Sequence, residues 1–202
     1  MKAIVLTRFG EPEKVLELKT LPDPTPPGPG EVVVRVTKRQ LHPGNLAMVR
    51  GKFNIPVPAD GFLIPGGDGV GIVEAVGEGV DSASVKPGTR VIFNPSPGAW
   101  AERLKARAEL ATPIPDDLPD AIAAQMLPNA VIALMLLQAA QRAVPDAGRE
   151  IPILLNAAGS SVARFLTIAA RSRGLNVVGA VRSSNGAKTT FQKSSGNPSN
   201  EA

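Results

Sequence analysis

The sequence predicts a mixed fold: a bent, all-β, barrel-like first part followed by the opening of a parallel α/β unit. Three observations carry this reading. The first part is a series of short alternating apolar segments cut by turn residues, in a chain with 20 glycines and 20 prolines. The pattern changes to helical spacing after "IPDDLPDAIAAQM". Beyond it, "PILLNAAGSSVARFLTIAARSRGLNVVGAVRSS" reads as a strand, a tight turn, a helix and a second strand. A continuously apolar first strand in such a unit marks a parallel pair.

Taken in order, residues 2–7 and 14–18 read as a hairpin joined by "RFGEPEK". "LPDPTPPGPG" is a connector too rich in proline for a helix or a central strand. "EVVVRVTK" alternates and is β-branched, so it is a strand. "HPGNLAMVRG" is a brief helix, opened by Pro43 and closed by Gly51. "GDGVGIVEAVGEGV" suits a bent barrel strand whose glycines permit kinks. "VKPGTRVIFN" is a turn and a strand, and "GAWAERLKARA" begins as another. Leu118 to Arg142 is helical with a kink at Pro128. Ile151–Leu155, Ser160–Ser172 and Leu175–Val181 then give strand, helix and strand.

Composition removes several classes of function. With 202 residues, 43% apolar and 20% charged, the chain is an ordinary globular protein. It has no cysteine, hence no disulfide scaffold, thiolate metal site or cysteine nucleophile, and no tyrosine to donate a phenolic proton. The net charge of +4 is scattered, and the densest basic run, Arg35, Lys38 and Arg39, has no interleaved aromatics. A nucleic-acid partner is therefore not expected. "MKAIVLTRFG" enters a strand at once, with no signal-peptide pattern, so a cytoplasmic location is the default expectation. "AIAAQMLPNAVIALMLLQAA" carries no charge, but Pro128, Asn129, Gln125 and Gln138 interrupt it. It is read as a core helix packed on all sides and not as a membrane span.

A barrel followed by such a βαβ start resembles the medium-chain dehydrogenase/reductase superfamily. The landmarks are "MKAIVLTRFGEPEKVLEL", "PPGPGEVVVRV", "IPGGDGVGIVEAVGEGV", "VKPGTRVIF", "GAWAERLKA" and "NAAGSSVARFLTIAA", in this order and spacing. The resemblance covers about residues 1–183 and implies a GroES-like β-barrel domain (1–117), then a partial Rossmann α/β unit with a parallel sheet (118–183). The tail, 184–202, is polar and aperiodic and reads as disordered.

Zinc members of the superfamily place a cysteine where this chain has His42, and Gly-His-Glu where it has Gly66-Gly67-Asp68. They also insert a four-cysteine lobe where this chain has "NPSP". A catalytic zinc needs three protein ligands, and one histidine without thiolates does not supply them. The sequence is similar instead to the zinc-free branch of quinone oxidoreductases and enoyl reductases. That resemblance implies hydride transfer from NADPH to a small-molecule quinone, enone or enoyl thioester, with the protein orienting the cofactor and stabilising an enolate.

The same resemblance implies the site residues. "LHPGNLAMVRGKF" matches an Asn-Pro-x-Asp loop and the glycine–aromatic step after it. His42 replaces the Asn, Asn45 the Asp, and Phe53 stands where enoyl reductases often carry tyrosine. His42 is the sole histidine of the chain. Its alternative role is that of a surface residue packed beside Pro43.

In the phosphate turn, Ala158, Ser160 and Ala163 stand where the dinucleotide fingerprint has three glycines. Asn156 opens the turn, and the Ser161 and Val162 amides lie at a helix N-terminus that favours an anion. Arg182 and Ser183 end the second strand where NAD enzymes carry an acid, which favours NADPH over NADH. A Thr-Ala-Tyr cofactor contact appears as Ile132, Ala133 and Leu134, leaving Asn129 as the nearest polar residue. The alternative is a βαβ unit that packs without binding anything.

A Rossmann sheet has about six parallel strands, and two are visible here. The expectation is a truncated, alternatively spliced or frameshifted product, with open apolar edges that favour association. The partner would be a second copy, giving a homodimer, or a full-length homologue. The two functional readings are thus a zinc-independent, NADPH-dependent oxidoreductase in incomplete form, and a non-catalytic remnant or interaction module.

Overall fold

The computed structural model describes residues 1–56, 61–94 and 98–182. Ser183 and the tail from 184 onward lie outside the described residues, as do residues 95–97 of the "NPSP" link. The chain divides into two compact units, Met1–Leu127 and a second from Pro128 onward.

The first unit opens with β1 (Lys2–Leu6), α1 (Pro12–Val15) and β2 (Leu16–Thr20). β1 and β2 pair antiparallel, with Ile4 opposite Leu18. Their link is not a plain loop as expected, because Pro12 occupies the first turn of α1, where its fixed φ suits a helix start. Then come β3 (Glu31–Lys38), α2 (Pro43–Val49), β4 (Gly69–Val76), β5 (Arg90–Phe93), β6 (Arg103–Arg107), a 3-10 turn (Ala108–Leu110), β7 (Ala111–Pro113) and α3 (Asp120–Gln125).

Five strands form one antiparallel sheet in the order β6-β3-β4-β5-β7. Val32, Val34 and Val36 recur every second residue of β3 and enter one core with Val73, Val91, Phe93 and Leu104. The β3–β4 register slips between Val33 and Val34 and again between Val36 and Lys38, which bends the sheet. Gly71 lies at that bend, where a Cβ would collide with the Arg35 carbonyl. That collision is the physical reason for glycine in this strand.

α3 lays Ala123 and Ala124 against Val70 and Ile92, with Ile114, Leu118 and Leu127 around them. The compact division falls at Leu127/Pro128, so that α3 packs with the first unit. A polar clamp holds the approach to α3. Arg90 Nη2 donates to Asp120 Oδ1 (2.6 Å) and the Leu118 carbonyl (2.7 Å), while Thr37 Oγ1 donates to Asp120 Oδ2 (2.7 Å). Arg90 Nη1 donates to the Pro115 and Asp116 carbonyls.

The Arg90 bond, and after it the Thr37 bond, hold the Asp120 carboxyl below the usual carboxylate range. A depressed carboxylate contributes stability that is present above its unfolded pKa of about 3.9 and is lost as pH falls through the folded value. Asp120→Asn is thus expected to cost about 1.5–3 kcal/mol at neutral pH. In urea melts, the gap between variant and wild type should close below about pH 4. A gap of equal size at pH 3 would contradict this.

The second unit contains α4 (Val131–Ala143), β8 (Ile153–Leu155), α5 (Ser161–Arg171) and β9 (Val177–Gly179). A π-helical turn, Met126–Ala130, precedes α4 and contains Pro128. The missing amide of that proline accounts for the interruption expected there. β8 and β9 pair parallel, Ile153 opposite Val177 and Leu155 opposite Gly179. Ala133 and Leu137 of α4, Leu166 and Ala170 of α5, and Leu175 form the core.

α4 is not packed on all sides, contrary to the expectation. Asp120–Ala143 is 24 residues long and apolar enough, by length and composition, to cross a membrane, yet only 22% of its most apolar window is buried. The buried seam consists of Ala133 and Leu137, one turn apart, against α5, and a single helix contact covers only one such stripe. Val131, Ile132, Met135 and Leu136 stay exposed, as do Leu154 and Val178 on the strands.

Candidate functional site

Each unit carries one cluster of chemistry-bearing residues. In the first, the cluster is built around the start of α2. His42 is its extended N-cap, and Pro43 occupies the first turn. His42 Nδ1 accepts from the Gly44 amide (3.1 Å), and Asn45 Oδ1 accepts from the His42 amide (3.0 Å). These bonds satisfy helix-end amides that otherwise lack partners. With Nδ1 an acceptor, the ring hydrogen of the neutral imidazole belongs to Nε2. Nε2 lies 3.8 Å from Asp68 Oδ1. Asp68 is buried, and its Oδ2 accepts from Gln40 Nε2 (2.7 Å).

His42 and Asn45 are therefore brought together, with Asn45 buried at 3% exposure and engaged in the cap. Phe53 follows the left-handed turn at Gly51 and is half exposed. Asp68 and Gln40 were not among the residues expected from sequence. The available signal was the acid at 68, aligned with the glutamate of the zinc members. Gln40 carried no signal, since its bond to Asp68 spans 28 residues.

In the second unit the turn after β8 forms the other cluster. Ala157 takes φ 48, a left-handed conformation that costs alanine about 1–2 kcal/mol. The Ala158 amide donates to the Ala180 carbonyl (3.2 Å), and the Ala180 amide to the Leu155 carbonyl (2.8 Å), tying the turn to the end of β9. Ser160 is the N-cap of α5: its Oγ accepts from the Ala163 amide (3.2 Å) and its carbonyl from the Arg164 amide (3.1 Å). Among the described residues, this leaves the Ser161 and Val162 amides for a ligand.

A cavity of about 760 Å³ opens here, lined by Asn156, Ala158, Gly159, Ser160, Val181 and Arg182, among others. Ala158 and Ala163 are buried at 4% and 5% exposure, so their small side chains lie beneath the turn. Ala163 sits at the third position of α5; it, Ser161, Val162 and Asn129, in the π-helical turn, lie outside the cavity lining. Ser183 lies outside the described residues. Free amides at a helix N-terminus, the helix dipole and one guanidinium are a combination that attracts phosphate.

Comparison with known proteins matches residues 28–116 to the alcohol dehydrogenase GroES-like domain. The mitochondrial enoyl-[acyl-carrier-protein] reductase of Bos taurus is 34% identical over 186 residues, covering 90% of this chain and 47% of that protein. A mycobacterial protein solved in complex with NADPH superposes with a TM-score of 0.79 at 30% identity, covering 96% of this chain and 57% of that one. A mycobacterial quinone oxidoreductase does so with a TM-score of 0.80 at 29% identity, covering 96% and 56%. The chain spans about half the length of the curated relatives it matches.

Proposed function

We propose that this chain, whose homologues are enoyl reductases and quinone oxidoreductases of the zinc-free branch of the medium-chain dehydrogenase/reductase superfamily, binds NADPH and reduces quinones or activated alkenes, such as enones and enoyl thioesters. The observation that carries the reading is the cavity lined by Ser160 and Arg182, next to the first two amides of α5. The small residues beneath the turn leave the backbone accessible to a pyrophosphate, which supports the fit of the cofactor. Arg182 offers a planar, permanently charged partner for a 2′-phosphate.

NADPH, when bound, supplies the hydride. The chain's own residues bind and orient it and manage charge and protons. Ser161 and Val162 amides hold phosphate, and Arg182 selects the phosphorylated ribose. In the first unit, His42 presents the Nε2 hydrogen as a donor for oxygen charge developing on the acceptor. Asp68, fixed by Gln40, steadies the imidazole when charge builds on it.

A non-catalytic interaction module is the second reading, favoured by the exposed apolar stripe of α4 and by Leu154 and Val178. NADPH oxidation in the presence of a quinone, followed by absorbance, separates the two. The oxidoreductase reading expects turnover that His42→Ser, which preserves an N-cap, lowers about 100-fold. Binding without turnover would favour the module, and absence of both would end the oxidoreductase reading for this chain.

A further inference from the structure

The first unit also carries a concavity that adjoins the His42 cluster through Gln40, the partner of Asp68. It is a groove of about 410 Å³ bounded by the β1–β2 hairpin and the segment leading into α2. Ile4, Leu16, Leu41, Leu46 and the Trp100 indole form its apolar wall, and Arg39 is the charged residue in the lining. Ile4 stands on the outward face of β1 and is 37% exposed, while Leu41 is 67% exposed. Solvent-facing sides of antiparallel pairs are normally polar, so this apolar wall departs from the pattern. Its volume and its composition, apolar with one fixed charge, are those of small-molecule sites.

Arg39 indicates the polar end of the ligand. Its Nη2 donates to the Ala101 carbonyl (3.0 Å), and among the described residues its guanidinium has no ion-pair partner. Arg39 is exposed as a residue, but partial burial of the guanidinium lowers its proton affinity, against the opposing charge of Glu102. A guanidinium without an ion-pair partner among the described residues, at the rim of an apolar wall, is complementary through its planar donor fork to a carboxylate.

We propose that this groove binds an aliphatic monocarboxylate, its chain lying along Ile4, Leu16, Leu41 and Trp100 and its carboxylate held by Arg39. The site shares no residue with the cavity at α5, and its carboxylate anchor, Arg39, has no part in the oxidoreductase reading.

Trp100 is the chain's only tryptophan and there is no tyrosine, so intrinsic fluorescence reports on the groove wall itself. Titration with octanoate, nonanoate and decanoate below their micellar concentrations is expected to give saturable changes. Affinity should rise about fourfold per methylene, the equivalent of about 0.8 kcal/mol. Decanol should bind at least tenfold more weakly than decanoate. Arg39→Gln should bring decanoate down to the decanol level, and Leu41→Asp, at a largely exposed position that tolerates a charge in the fold, should abolish the response. The proposal is overturned if decanoate gives no saturable change, or if both variants bind it as wild type does.

Discussion

Replacing Gly66 by alanine is expected to destabilise the first unit by about 2–5 kcal/mol, the sum of backbone strain and overpacking. Gly66 has φ 85, and a Cβ there would run into Cδ1 and Nε1 of Trp100 and meet Ala99 Cβ at 3.1 Å. The indole has little room to retreat. The Gly66 carbonyl accepts from the Gly98 and Ala99 amides (2.9 and 3.0 Å), and the Pro65 carbonyl from the Trp100 amide (2.9 Å). Urea unfolding followed by the single tryptophan should show the lowered midpoint. Because Asp68 lies two residues beyond, its contact with His42 is expected to loosen in the same variant. An unchanged midpoint would show that the turn yields more easily than this packing allows.

Exchanging Ser160 for aspartate separates the structural from the binding role of the same residue. A carboxylate caps a helix as well as a hydroxyl does and suits the positive end of the dipole, so stability should hold. Its charge, however, would enter the cavity beside the Ser161 and Val162 amides. Repulsion between like charges in such a site is worth several kcal/mol, so NADPH affinity is expected to fall about 100-fold. Ser160→Ala should behave oppositely, losing about 1 kcal/mol of stability with little change in affinity. Calorimetric titration and thermal unfolding of both variants read the two effects. NADPH binding by the aspartate variant at wild-type strength would remove the phosphate from this cavity.

The features legible in the sequence are those governed by local patterns. The alternation of β3, the Pro43 helix start and the break in regular α-helix around Pro128 each follow from residues adjacent in the chain. The βαβ order was equally legible, because an apolar strand, a Ser-capped helix and a second apolar strand are all local signals. What escaped is tertiary. Thr37, Arg90 and Asp120 converge from three elements, and Asp68 meets Gln40 and His42 across separations with no periodicity. The exposure of α4 also escaped, since apolar composition all round a helix does not say how many neighbours cover it. Ala157 is a further case: nothing about an alanine announces a positive φ.

Whether a phosphate cradle operates at the start of α5 can be read residue by residue from amide NMR shifts of the 15N-labelled chain, on addition of NADPH and, separately, NADH. Saturable shifts centred on Ala157–Val162 and Arg182 are expected, with NADPH binding more tightly than NADH by tenfold or more, about 1.4 kcal/mol. Equal response to both nucleotides, or shifts that leave Ser161, Val162 and Arg182 unmoved, would show that the cradle does not hold the cofactor's phosphates.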